Sequence, residues 1–502
     1  MSHSPVKHIE RPPVVAVMGH IDHGKSTLLD YIRSTNIVDK EAGGITQHVS
    51  AYEVVHKEGG VERKITFLDT PGHAAFSIMR ERGVEIADIG ILVVSAEDGV
   101  KAQTLEALKQ IVSQKLPYIV AINKIDKPNA NIERTKMSLV ENGVYLEGMG
   151  GSVSFVAISA KTGAGIPELL STILLTADLA ELKGNPSEPA EGYVLESSME
   201  AKRGTSATLI IKNGTIKKGA FVVAGTALAP FRIVEDFLGK AIVEATCSSP
   251  IKVTGWDEIP QSGTLFQVYY DKKDAEAAQR NAKEARGVIS KDPEFIGPKD
   301  AQKVIPLVLK ADVVGTLDAV KQELRKIKAE NLSLKIISQG VGPITENDIL
   351  LASSDPLAVV IGFHTKLESK ARDQVERLKV KVEQFDIIYK LTEWLTEYAE
   401  IARPREETDE VIGTLKVLRI FSQNKEKQVV GGKVLTGSIK ISHPVKIIRR
   451  EHDLGKGKIT ELQSAKVKTN EVLADTECGL LVESKTEIAI GDTLECFIKV
   501  TK

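Results

Sequence analysis

Apolar residues open this chain in short unbroken runs and later recur in briefer runs interrupted by glycine. "VVAVM" (14–18) reads as a strand buried on both faces, and "TLLDYIRST" after it has the apolar spacing of a helix. "ITFLDTPGH" (65–73) and "YIVAINKIDK" (118–127) supply further buried strands. Strands and helices alternate over residues 1–180, which predicts a doubly wound α/β sheet. From 190 to 270, runs such as "ATLIIKNG" and "GAFVVAGTAL" sit between glycine turns and predict a small β-barrel. "DKKDAEAAQRNAKEARGVI" (271–289) reads as a polar helix, and "SKDPEFIGPKDAQKV" as a linker. Strand–helix alternation returns over 304–385. "IPLVLKAD", "LKIISQGVG", "LAVVIGF" and "VKVEQF" are its strands, "GTLDAVKQELRKI" and "TENDILLAS" its helices, and Thr345 is an N-cap. Asp312, Glu346 and Asp348 there read as caps and solvated charges. In "IIYKLTEWLTEYAEIA" (387–402), Ile387, Leu391, Trp394, Leu395, Tyr398 and Ile401 form a helical packing stripe, ended by Pro404. Residues 411–502 are β by pattern.

At 502 residues the chain exceeds one core, so roughly three to five domains are expected. A formal net charge of −2 gives no overall pull toward nucleic acid, so any basic surface must be local. One stands out: residues 416–468 hold thirteen Lys/Arg against four Asp/Glu, which fits contact with RNA phosphates. Cys247, Cys478 and Cys496 lack CxxC spacing, which disfavours zinc and disulfides and points to reduced cytosol. No apolar run approaches the ~20 residues that span a bilayer, and the first residues resemble neither a signal peptide nor a presequence. A cytoplasmic protein without a membrane partner is expected.

The chemistry concentrates where the buried strands end. Gly19, His20, Ile21, Asp22, His23, Gly24, Lys25 and Ser26 spell G-x-x-x-x-G-K-S, followed by Thr27 in the helix. Glycines let backbone N–H groups close round phosphates, and the helix N-terminus adds its positive dipole end. Lys25 would reach the β and γ phosphates, while the Ser26 hydroxyl would ligate Mg²⁺. Asp69 ends the second strand where it can hold Mg²⁺ through water. Thr70, Pro71 and Gly72 follow, with the Gly72 N–H available to a γ-phosphate. In Asn123-Lys124-Ile125-Asp126, the Asp126 carboxylate can accept from guanine N1–H and its 2-amino group. Adenine offers no such pair. Ser159, Ala160 and Lys161 form a loop that can address guanine O6. The nucleotide is therefore GTP or its product GDP, and an ATP-using kinase is excluded. Thr46, between Gly43–Gly44 and the second strand, could close on Mg²⁺ and the γ-phosphate. His73, where small signalling GTPases carry glutamine, can orient the attacking water as the catalytic residue. Slow hydrolysis is expected until a partner seats it. Asp22 could add a monovalent-cation contact.

These motifs resemble the translational GTPases, whose phosphate loop reads "GHxDHGK" and whose second switch reads "DTPGH". More narrowly, "AGGITQHVSAY" with "SAKTGAGIPELL" resembles bacterial-type translation initiation factor 2. "GYVLESSMEAKRGTSATLIIKNGTIKKGAFVVAGT", "LVLKADVVGTLDAVKQEL" and "ISQGVGPITENDILLAS" extend the resemblance over residues 12–500. It implies GTP-dependent placement of formylmethionyl initiator tRNA on the small ribosomal subunit. Subunit joining and ribosome-stimulated hydrolysis would follow, carried by a monomer that meets both subunits. Thr46, His73 and Asp126 match the family's functional positions. The expected class is multidomain α/β and β. A P-loop GTPase domain (1–180), a β-barrel (190–287), an α/β layer domain (300–386), a long connecting helix (387–404) and a C-terminal initiator-tRNA-binding β-barrel (411–502) make it up. The family usually carries a long extension before the GTPase domain, where about a dozen residues stand here.

The family's tRNA-end pocket has two cysteines and a basic-aromatic loop. Glu477, Cys478 and Gly479 match one wall. The other cysteine's position is Gly432, and the loop reads "QSAK" (463–466), so only Lys466 keeps register. Lys456, Lys458 and Lys468 could compensate. An elongation or rescue GTPase, or a GTP-regulated RNA-binding assembly factor, is the alternative.

Overall fold

Six strands form the first sheet, in the order Ser50–Glu58, Val61–Asp69, Val14–Gly19, Ile89–Ser95, Tyr118–Asn123, Phe155–Ala157. The outer pair Ser50–Glu58 and Val61–Asp69 is antiparallel, and the other neighbours are parallel. Every residue of Val14–Gly19 is buried, because helices cover both faces. Val15 and Val17 pack on Leu28, Leu29, Leu169 and Ile173. Ala16 and Met18 pack on Val84, Ala107, Ile111 and Leu139. Each Val, Leu, Ile or Met side chain so removed from water contributes about 1.5–3 kcal/mol before entropy is counted. Since parallel strands share one end, Gly19, Asp69 and Asn123 finish at the same edge of the sheet.

This computed structural model describes residues 9–33, 49–200, 203–286, 294–298, 301, 303–327, 332–402, 407–424, 426–465 and 467–501. They fall into two compact units, Met1–Arg403 and Pro404–Lys502. Chain entry to the first sheet and exit from it lie together, since Ile9–Glu10 pairs antiparallel with Lys183–Gly184. Beside that clasp, Arg11 grips Asp88 through two nitrogens at 2.6 and 2.7 Å. Lys212 of the second sheet bonds the same carboxylate. Burial would raise the Asp88 pKa, but the Arg11 hydrogen bonds and the Lys212 charge hold it below the usual range.

Seven antiparallel strands form the second sheet, ordered Ala227–Pro230, Phe221–Ala224, Leu265–Tyr269, Glu191–Glu200, Gly204–Asn213, Pro250–Thr254, Ile233–Asp236. Its two edge strands are separated in sequence only by Phe231 and Arg232, so the sheet must curl round the core of Val194, Leu209, Val222 and Phe266. Helix Lys272–Arg286 lies on it, with Gln279 Nε2 donating to Thr226 O at 2.8 Å and Asp257 Oδ2 at 2.6 Å.

The third sheet runs Glu294–Ile296, Leu332–Val341, Lys303–Ala311, Val359–Phe363, Lys381–Phe385. Three expectations need correction here. Residues 294–296, read as linker, form an antiparallel edge strand against Leu334–Ile336, where Ile296 finds a buried place. Asp348 is not a solvated charge. It is buried, bonds Thr345 N and Oγ1 at 2.9 and 2.7 Å as the reciprocal half of a helix cap, and pairs with Lys310 Nζ at 3.0 Å. A helix at Ser369–Leu378 joins those read from sequence. The long helix, Ile388–Ala402, buries Ile388, Leu391, Leu395, Ala399 and Ala402. Ile401, placed in the stripe from sequence, is 83% exposed because the packed face lies one position away.

In Pro404–Lys502, Glu407–Gln423 pairs with both Thr493–Thr501 and Lys427–Lys440. The ring continues through Pro444–Arg449, His452–Ser464 and Glu477–Ser484 and closes on Lys427–Lys440, so six strands make a barrel. Leu415, Val417, Val430, Leu462, Leu480 and Leu494 fill it. No helix among the described residues is long and apolar enough to cross a membrane.

Candidate functional site

Strand Val14–Gly19 turns into helix Lys25–Arg33 through a loop that leaves no room for side chains at its glycines. A Cβ on Gly19, at φ +145°, would stand 2.4 Å from Val93 O, and one on Gly24 2.4 Å from Asn123 Nδ2. Asp22 takes a left-handed φ of +63° with its side chain exposed. Ile21 N donates to Gln103 Oε1 at 2.9 Å. Lys25 is buried with Nζ on His20 O at 2.7 Å, and Gly72 is so close that a Cβ there would meet Nζ at 2.3 Å. Burial lowers the Lys25 pKa to about 8, against the pull of Asp69. A buried ammonium facing an open loop is suited to an anion. Ser26 is half-buried, Thr27 exposed, and Asp69 buried at its strand end. Thr70 is occupied structurally, its hydroxyl donating to Val17 O at 2.8 Å. His23 is buried and its pKa falls to about 4, chiefly through desolvation, so it is neutral.

The opposite end of the cleft is one connected network. Asn123 Nδ2 donates to His23 O at 2.8 Å, and its Oδ1 accepts from Ala160 N at 2.9 Å. Asn123 thus ties the phosphate loop to the loop after Phe155–Ala157. Asp126 is exposed, and one carboxylate oxygen accepts from Ser159 Oγ at 2.7 Å, which holds the acid below the ordinary range. Ile125 N donates to Ile158 O at 3.3 Å, while Lys124, at φ +66°, points Nζ toward Glu97 at 3.9 Å. Lys161 is exposed beside them. Thr46, with Gly43 and Gly44, lies outside the described residues.

His73 follows Gly72 and is 4% exposed. Its Nδ1 accepts from Ala75 N at 2.9 Å, so the ring is neutral with its proton on Nε2. Nε2 is buried without a hydrogen-bond partner among the described residues, and burial lowers the pKa. In this orientation neither nitrogen can take a proton from water. Sequence reading missed Arg80, which is buried, bonds Pro71 O at 3.1 Å and His73 O, and pairs with Glu106. Only the fold brings Glu106 there, so no local motif announces it.

Helix Ser77–Ile86, directly after His73, is tied to Val314–Leu324 of the third sheet. Gln322 Nε2 donates to Ser77 Oγ at 2.9 Å, and Arg82 meets Asp318 at 2.6 Å. At the same junction, Glu196 of the second sheet accepts from Ser197 N, Gly315 N and Ser262 Oγ at 3.0, 3.0 and 2.9 Å. Burial outweighs those bonds and raises its pKa to about 7.

In the second unit a trough of about 760 Å³ is lined by Phe421, Gly431, Gly432, Gln463–Ala465, Glu477, Cys478 and Gly479 among others. Gly431 pairs with Gly479, and Gly432 with Cys478. The pleat buries Gly432 and Cys478 while leaving Glu477 exposed. At Gly432 a Cβ would strike Lys416 O at 2.4 Å, so a thiol there would not fit this backbone. Burial pushes the Cys478 thiol up to about 11. Lys466 lies outside the described residues. Phe421, 66% exposed, stands over Gly431 on the wall of the trough. The basic excess is partly consumed: Lys456 and Lys446 both reach Asp409 at 3.0 Å, and Lys468 reaches Glu461 at 3.4 Å.

The parallel sheet, the cradle at Gly19–Ser26 and the strand-end residues Asp69, Asn123 and Asp126 define a P-loop guanine-nucleotide-binding domain. Family models match in the same places: "Elongation factor Tu GTP binding domain" over residues 10–178, "Elongation factor G domain 2" over 189–269 and "Translation-initiation factor 2" over 278–396. Translation initiation factor IF-2 of Bacillus pumilus is 41% identical over 97% of this chain and 70% of its own length. The factor of Carboxydothermus hydrogenoformans is 42% identical over 97% of this chain and 59% of its own. The chain belongs to the translation initiation factor IF-2 family, and it spans about three fifths of the length of the first relatives it matches. The crystal structure of GDP-bound aIF5B from Aeropyrum pernix is similar over 97% of this chain and 92% of that one, at 26% identity and a TM-score of 0.47.

Proposed function

We propose that the chain is a GTP-hydrolysing initiation factor of the cytoplasm. It would place formylmethionyl initiator tRNA on the small ribosomal subunit, promote joining with the large one, and hydrolyse GTP there as a monomer. The observation that carries this reading is the shared sheet edge. A buried Lys25 in an anion cradle and a guanine-selective Asp126 braced by Ser159 open on it, with His73 buried next to Gly72. Gly19–Thr27 would hold the phosphates, with the Gly72 N–H on the γ-phosphate. Asn123–Asp126 and Ser159–Lys161 would hold the base. Ser26, Asp69 and Thr46 offer hard oxygen donors, as Mg²⁺ requires, and the bound ion would neutralise charge on the β and γ oxygens. Asp22, exposed at the kink of the cradle, would add a monovalent-cation contact.

His73 orients the attacking water only after releasing Ala75 N, because both ring nitrogens are committed or buried as it stands. Slow hydrolysis by the isolated chain follows from that geometry. In the second unit, the trough from Phe421 to Gly479 would receive the formylmethionyl end, with the unit as the tRNA-binding domain. The five-part division read from sequence belongs to this proposal, with the α/β layer domain drawn back from 300 to take in the edge strand Glu294–Ile296.

The test is GTP turnover by the full chain with and without 70S ribosomes, joined to binding of formylated and unformylated initiator tRNA at two salt concentrations. Ribosome stimulation and a formyl preference are expected. Turnover indifferent to ribosomes would overturn the reading, and equal, steeply salt-dependent tRNA binding would reduce the trough to phosphate contact.

A further inference from the structure

His73 is covered by a side chain from far along the chain. Tyr389, in the first turn of Ile388–Ala402, sets its ring edge-on to the imidazole, with centroids 4.2 Å apart and planes at 68°. Phe76 stands on the imidazole at 5.9 Å and 70°. The helix does not need Tyr389 for its own packing. Ile388, Leu391 and Leu395 fill the third-sheet core, whereas Tyr389 is 52% exposed and still reaches a histidine that is 4% exposed. Gln322 and Asp318 hold the helix after His73 by its polar side chains, at Ser77 and Arg82. Tyr389 meets the imidazole itself.

We propose that Tyr389 is a positioning residue that keeps His73 turned away from the nucleotide, so that the third sheet must draw its long helix back before His73 can meet the attacking water. This rests on the reading of His73 given above. The two rings meet edge to face, and the imidazole, already pinned by Ala75 N, has the phenol in the space beside it. Withdrawal of the third sheet therefore frees the histidine, and hydrolysis reports the posture of that sheet.

The experiment is single-turnover GTP hydrolysis by the full chain without ribosomes. Tyr389→Ala should raise the rate about threefold to tenfold, the population shift that losing one aromatic pair allows, with GTP affinity unchanged. Tyr389→Phe keeps the ring and should restore the wild-type rate. Adding His73→Ala to Tyr389→Ala should abolish the gain. A Tyr389→Ala rate at or below wild type with intact GTP affinity would overturn the proposal, as would a gain that survives loss of His73. Tyr389→Leu, which keeps apolar bulk without a ring edge, decides the matter if the alanine variant does not fold. Wild type with 70S ribosomes is the control. No stimulation there overturns the functional reading itself, whereas stimulation alongside a flat Tyr389→Ala rate overturns only the latch.

Discussion

Asn123→Ala removes a side chain that holds two loops together rather than one that touches solvent. Asn123 is 1% exposed, donates to His23 O at 2.8 Å and accepts from Ala160 N at 2.9 Å. Truncation leaves a buried carbonyl and a buried N–H without partners. At about 1–3 kcal/mol for each unsatisfied group, the loss lies at about 2–6 kcal/mol unless water enters the space. The bridge exists without nucleotide, so part of this loss appears as stability and part as the cost of re-ordering the loops on binding. GDP titration by fluorescence and thermal melting of the nucleotide-free chain measure the two shares. Asn123→Asp should do at least as badly, since it keeps the acceptor but turns a carboxylate oxygen toward His23 O. If Asn123→Ala melts with wild type and binds GDP within about threefold, worth only about 0.65 kcal/mol, the bridge is dispensable and the reasoning fails.

Three further outcomes follow from other parts of the molecule. Asp126→Asn puts an amide where guanine offers donors, so GTP should weaken at least about tenfold while xanthosine triphosphate, with a carbonyl at C2, gains; competition titration checks it, and unchanged preference refutes it. Glu196 has a folded pKa of about 7 against an ordinary 4.5, so the folded chain holds a proton that the unfolded one releases. Its stabilising contribution is full below pH ~4.5 and lost as pH rises through ~7, and melting across that window should flatten in Glu196→Gln. All three cysteines are buried, with Cys478 raised to about 11 and Cys496 also raised, so the native chain should resist a thiol reagent at pH ~8 that labels all three after denaturation; rapid labelling of Cys478 would contradict this.

What could be read from sequence was what neighbouring residues decide among themselves. Val14–Gly19 announces a strand because its continuous apolar run needs cover on both faces, and Gly24-Lys25-Ser26 announces a helix start. Thr345 and Asp348 lie three apart, so the cap was legible, although the burial of Asp348 against Lys310 was not. Glu294–Ile296 escaped because three residues carry no period, and their strand exists only through Leu334–Ile336. Periodicity found the Ile388–Ala402 helix but not its phase, which the third sheet sets, leaving Ile401 outside. Arg80 and Tyr389 had no local signal at all. Their meaning comes from Glu106 and His73, which folding delivers to them.

The clasp between Ile9–Glu10 and Lys183–Gly184 gives the first sheet a particular topology: its polypeptide is a loop pinched shut at the neck. Tension along the chain would reach that neck before it reached any strand of the sheet, and Arg11, Asp88 and Lys212 bolt it to the second sheet. Pulling on the flanking segments is borne first by that neck and by the second sheet it is bolted to, while the third sheet keeps its own hold on the helix after His73 through Gln322 and Asp318. The first sheet is nonetheless no detachable pendant, because Leu68, Phe76, Met79 and Ile86 share one core with Leu307, Leu317 and Val320 of the third.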